Sequence, residues 1–178
     1  LYLNDGAGRY GPATQGRLPS TATYQTLAIA AVDVDRDRDA DLVFCNSGWS
    51  GPNQSLLFLN DGTGTFRDVT ATHLPVGPFH PNSIAVGDLD GDGAPDLVFG
   101  GSTSSSYPQI RMRIYRNIGG RFSDVTAAAP WLSGGPTLVD IDEDGDLDLL
   151  GDFTNSVHLN NGRGNFVPGA RGQAGTGA

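Results

Sequence analysis

The chain has 178 residues, 26 Gly, 11 Pro and a net charge of -9, which allows a sizeable core but favours short strands and turns over long helices. Eleven Arg with no Lys form no basic stripe for nucleic acid, and no run of 18 apolar residues is present to span a bilayer. A single cysteine, Cys45, excludes an intrachain disulfide framework.

In chain order, the first predicted element is a hairpin, LYLNDGAGRY from Leu1, with a Gly-rich turn between two strands. An apolar strand is predicted over Leu27 to Val32, then an acidic loop, DVDRDRDAD from Asp33, then a second apolar strand over Leu42 to Cys45. Cys45 lies in that apolar run, which marks it as a buried, inert thiol. A hairpin, LFLNDGTGTF from Leu57, follows and runs into Asp68-Val69-Thr70-Ala71.

The same order then recurs. The second acidic loop, DLDGDGAPD from Asp88, precedes the hairpin IYRNIGGRF from Ile114 and the words Asp124-Val125-Thr126-Ala127. The third, DIDEDGDLD from Asp140, precedes VHLNNGRGNF from Val157. Asn-Gly and Asp-Gly pairs supply the positive φ of tight hairpins, and the aromatic after each turn (Tyr10, Phe66, Phe122, Phe166) is expected in core packing.

One period thus holds four antiparallel strands, and a period of this length is the signature of a β-propeller blade. The expected class is all-β: part of a propeller over residues 1–168, with an outer half-blade at 1–13, blades at about 26–71, 83–127 and 136–168, and a flexible tail or linker at 169–178. A half-blade exposes an edge and an apolar face, so the remaining blades are expected from the same longer chain or from another chain.

Acidic residues comprise 19 Asp and one Glu, Glu143, and 14 of the Asp fall in the three loops at relative positions 1, 3, 5 and 9 and two further places. Two carboxylates about 4 Å apart repel by roughly 4 kcal/mol at an effective dielectric near 20, so loops that gather four or five call for a cation. Calcium accepts carboxylates, a backbone carbonyl and water in flexible geometry, whereas magnesium demands a rigid octahedron and zinc would want His or Cys. An EF-hand needs a Glu at position 12, where this chain has Phe44, Phe99 and Gly151. Position 6 is Gly93 and Gly145 in the later loops but Arg38 in the first, where a left-handed backbone carries strain. The competing reading is that these Asp only form turns.

Asp-x-Asp-x-Asp-Gly-x-x-Asp loops between the first two strands of a blade resemble the FG-GAP repeats of integrin α-subunits and related bacterial secreted proteins, over nearly the whole chain. The resemblance implies two to three calcium ions. The first would be held by Asp33, Asp35, Asp37 and Asp41 with the Asp39 carbonyl, and the second by Asp88, Asp90, Asp92 and Asp96 with the Ala94 carbonyl. The third would take Asp140, Asp142, Asp144 and Asp148 with the Asp146 carbonyl. A site that draws every protein ligand from one local loop leaves little opening for a substrate, so the metal is expected to be structural, and an extracellular, periplasmic or cell-surface location is expected because millimolar calcium there fills modest-affinity sites.

Aromatic residues gather in the connections expected on the face opposite the acidic loops: Trp49, Phe79 with His80, Tyr107 and Trp131. These are candidates for a face that binds a glycan or a protein partner, set against the plainer reading that they plug gaps between blades. No nucleophile elbow, zinc-protease motif or dinucleotide fingerprint occurs, and His73, His80 and His158 are scattered singly, so no enzymatic activity is expected of this segment. The functional expectation is an adhesion or binding module; the alternative is a non-catalytic scaffold or appendage of a larger extracellular enzyme.

Overall fold

Alternating apolar runs between Gly-rich turns become fourteen short strands in the computed structural model, which describes residues 1–13, 15–19, 24–47, 54–77, 80–101, 112–128, 134–151 and 156–169. Strands β1 (Tyr2–Asn4) and β2 (Tyr10–Pro12) form an antiparallel hairpin of their own. Three four-stranded antiparallel sheets follow, each in plain meander order. The first contains β3 (Thr26–Val32), β4 (Asp41–Asn46), β5 (Leu56–Asn60) and β6 (Phe66–Asp68). The second contains β7 (Ser83–Gly87), β8 (Asp96–Gly100), β9 (Arg113–Ile118) and β10 (Arg121–Asp124). The third contains β11 (Pro136–Val139), β12 (Asp148–Gly151), β13 (Ser156–Asn160) and β14 (Phe166–Pro168).

Among the described residues the fold is all-β apart from one helical turn at Thr70–His73 and a 3-10 turn at Thr126–Ala128. Both turns grow from the repeated Asp-Val-Thr-Ala words. Asp68 and Asp124 each accept the N–H of the Thr two residues on, at 2.9 Å, while the Thr70 and Thr126 hydroxyls accept the N–H of Leu57 and Ile114 in the third strand. The duplicated word therefore fastens the outer edge of a sheet to its interior.

The first strands lie side by side, β3 against β7 and β7 against β11, which is consistent with consecutive propeller blades. Alternation decides what each blade shows its neighbours. Leu97 and Phe99 of the second blade face Val43, Cys45, Leu57 and Leu59 of the first, with Phe99 edge-on to Tyr115 at 5.3 Å between ring centres. Val98 and Ile114 point the other way and join Leu149 of the third blade, with Leu138, Leu147 and Phe166 packed around them. A central blade is thus covered on both faces, and β8 is buried at every position.

The aromatic after each turn does not have one fate. Phe122 is buried and Phe66 and Phe166 are half-buried, but Tyr10 is 66% exposed, because among the described residues its hairpin has no inner strands to pack upon. Cys45 is fully buried, and burial pushes its thiol up to about 12, which keeps it protonated and unreactive.

His158 occupies the strand position held by Phe58 and Tyr115 in the other blades. It sits opposite Leu149 and Pro168 and is buried, and its Nδ1 has no hydrogen-bond partner among the described residues. Burial lowers its pKa from the ordinary 6.5. The folded state therefore holds the neutral ring: its stability is fully present above pH 6.5 and declines as pH falls through the lower folded-state value. His158→Phe is expected to remove this loss, so that the stability difference between variant and parent in urea titrations widens as pH drops from 7 to 5. A pH-independent difference would refute the assignment. Comparing the two chains cancels the contributions of carboxylates common to both.

Candidate metal centre

Each acidic loop joins the first two strands of a blade, and its nine residues follow one plan. The Asp at position 1 turns its carboxylate into the loop and accepts two backbone N–H groups. Asp33 takes those of Asp37 and Arg38 at 3.1 and 2.9 Å, Asp88 those of Gly91 and Gly93 at 2.8 Å each, and Asp140 those of Asp144 and Gly145 at 3.1 and 2.9 Å. At position 5, Asp37, Asp92 and Asp144 accept the N–H of the residue two further on.

Two positions in every loop are left-handed. At position 6 Arg38 has φ 79° where Gly93 has 82° and Gly145 has 96°, and at position 4 Arg36 and Glu143 share that region with Gly91. The strain expected at Arg38 is therefore present, and position 4 adds a second requirement that spacing alone did not reveal. Arg38→Gly is expected to stabilise the chain by about 1 kcal/mol, seen as a higher urea midpoint with an unchanged slope.

The Asp at position 9 belongs to the second strand and is fully or almost fully buried in all three blades, as Asp41, Asp96 and Asp148. One oxygen accepts the N–H of loop position 2, from Val34, Leu89 or Ile141, at 2.8 to 3.0 Å. The other accepts the N–H of the Asn that opens the outer hairpin, Asn60, Asn117 or Asn160, at 2.7 to 2.8 Å. This carboxylate clips loop, second strand and third strand together. Burial raises the pKa of Asp41, and it pushes Asp96 up to about 6 against the two amides that favour its ionised form.

Carboxylate oxygens converge within 4.8 Å in every loop: Asp33, Asp35 and Asp37 in the first, Asp88, Asp90 and Asp96 in the second, Asp140, Asp142 and Asp148 in the third. Partial burial and then the Asp37 and Asp33 charges raise the pKa of Asp35. Partial desolvation, followed by Asp144, Asp148 and Asp140, raises that of Asp142. An all-oxygen donor set crowded with like charge suits a hard divalent cation. Asp41, Asp92 and Asp144 lie outside these triplets, so the expected side-chain sets are assembled only in part. At position 7, Ala94 is buried, while Asp39 and Asp146 cover the outer hairpins: a Cβ on Gly62 or Gly162 would come within 2.6 and 2.5 Å of their Oδ2 atoms.

Arg116 was not foreseen. Its Nε lies 3.0 Å from Asp90 Oδ2, placing a guanidinium on one of the three carboxylates of the second loop. The equivalent positions in the other blades are Leu59 and Leu159, so comparison of the hairpins alone could have marked Arg116 as the exception. Of the expected ligand face, Trp49, Phe79, Tyr107 and Trp131 lie outside the described residues, and His80 is half-buried. No helix among the described residues is long and apolar enough to cross a membrane.

Meander blades fastened by buried Asp clips and joined along their first strands define a propeller-like β repeat module. Residues 39–99 match the family model described as FG-GAP-like repeat, from the end of the first acidic loop to the second strand of the next blade. No curated protein matches the chain.

Proposed function

We propose that the chain is a calcium-binding propeller module of a secreted or cell-surface protein, acting in adhesion or in binding a glycan or protein partner rather than in catalysis. The observation that supports this most is the recurrence, at the same place in three repeats, of three carboxylate oxygens within 4.8 Å of one another. Asp33, Asp35 and Asp37 would hold one ion, Asp88, Asp90 and Asp96 a second, and Asp140, Asp142 and Asp148 a third. A cation there would neutralise the repulsion in each loop and hold the turn between the first two strands, a structural role. A ligand would be taken by the connections that the repeat pattern assigns to the side opposite the acidic loops, with Trp49, Phe79, His80, Tyr107 and Trp131 as the candidate contacts. Loss of partner or glycan binding in Trp49→Ala and Tyr107→Ala with calcium content unchanged would support that face; retained binding would remove it.

Calorimetric titration is expected to find two to three calcium ions per chain, with a melt that falls when chelator is added. An ion at 100 times its dissociation constant adds about 2.7 kcal/mol per site, enough to shift the melting temperature by several degrees. No heat of binding and an unchanged melt would leave the carboxylates as turn formers, the role their backbone hydrogen bonds already perform.

A further inference from the structure

The hairpin asparagines do more than open a turn. Asn117 of the second blade donates its side-chain amide to the Pro95 carbonyl of its own blade, at 3.1 Å, and to the Val34 carbonyl of the first blade, at 2.7 Å. Asn160 of the third blade repeats this, with Leu147 of its own blade at 3.1 Å and Leu89 of the second at 2.8 Å. In each case the crossing bond reaches loop position 2 of the preceding blade, whose own N–H is held by the buried Asp clip. The accepting residues, Val34 and Leu89, are 1% and 2% exposed.

Both ends of this series stop at an unused half. Asn60 of the first blade donates its amide to Ala40 of its own blade, and no preceding loop meets it among the described residues. Ile141 stands in the third blade where Val34 and Leu89 stand in the others, with the same N–H bond to its clip, Asp148, yet it is 41% exposed. Val139 and Val167 on the same blade are also exposed.

We infer that the open face of the third blade, centred on Ile141, seats a further blade of the same repeat type, recognised by a hairpin asparagine that donates to the Ile141 carbonyl. The two internal interfaces carry this inference, because they show the same contact made twice. It rests on the reading of the chain as a repeat module, and not on calcium.

The chain as it stands gives the first test. Asn117→Ala and Asn160→Ala each lose a bond between blades and leave a buried carbonyl unpaired, whereas Asn60→Ala loses only bonds within its own blade. The first two are expected to lower the folding equilibrium constant, read from urea titrations, about tenfold more than the third. Equal losses would overturn the rule. The titrations are run with calcium and with chelator: failure of the calcium reading appears as identical curves in the two, and the ordering of the asparagines is read in either.

The second test labels Ile141→Cys with a thiol reagent, which is clean because Cys45 is buried. Labelling of the parent chain should not depend on protein concentration; slowing with concentration would place a second copy on this face and overturn the proposal. A chain extended after Pro168 by a second copy of residues 125–169 should label at least tenfold more slowly. Substituting Ala for the asparagine equivalent to Asn160 in the added copy should restore the rate. Unslowed labelling of a folded extended chain overturns the seat, and protection indifferent to that asparagine overturns its recognition. If the extended chain does not fold, the asparagine ordering decides alone.

Discussion

Asp96→Ala is expected to cost about 4 kcal/mol, because it strips the acceptor from two buried amides at once, those of Leu89 and Asn117. In a marginally stable module this is a large part of the total, and the measurement is the urea midpoint in the presence of chelator. The loss should persist there, since the clip acts on backbone N–H groups whether or not a cation is bound. A loss seen only with calcium present would mean that Asp96 acts through a metal and not as a clip. Asp96→Asn keeps one carbonyl oxygen and is expected to fall between parent and Asp96→Ala.

Phe99→Ala is expected to cost about 3 to 5 kcal/mol, the usual penalty for emptying an aromatic site in a packed core. Phe99 is fully buried between the first and second blades, against Tyr115 and the Val43, Cys45 and Leu57 side of its neighbour. Because this surface belongs to two blades, the variant should weaken both in one transition of lower urea midpoint. Leu27→Ala supplies the contrast: Leu27 is an apolar strand residue too, but 57% exposed, and its loss should be small. Comparable losses in the two variants would show that the first two blades do not share a core.

Strands, turns and acidic loops were legible in the chain because each depends on neighbours a few residues away. Alternation marked the apolar runs, Gly-rich turns marked the hairpins, three of them with Asn-Gly or Asp-Gly, and regular Asp spacing marked loops that gather carboxylates. The family match over residues 39–99 agrees with the resemblance those loops suggested. Position 9 was legible as an Asp but not as a clip, since its second partner is the third strand, 19 residues away at Asn60 in the first blade. Arg116 was invisible as a partner of Asp90 for the same reason.

The asparagines mark the boundary most clearly. Local spacing alone placed Asn117 in a Gly-rich hairpin, because the turn chemistry needs only the residues beside it. That its amide also joins two blades was decided by the tertiary structure, which brings Val34 to it across 83 residues of chain. Hydrogen bonds to a backbone carbonyl leave no mark on the identity of the accepting residue, so Val34, Leu89 and Ile141 read as ordinary apolar positions until the blades are stacked. Stacking then buries the first two and leaves the third exposed, because burial follows from which surface lies opposite and not from the side chain itself.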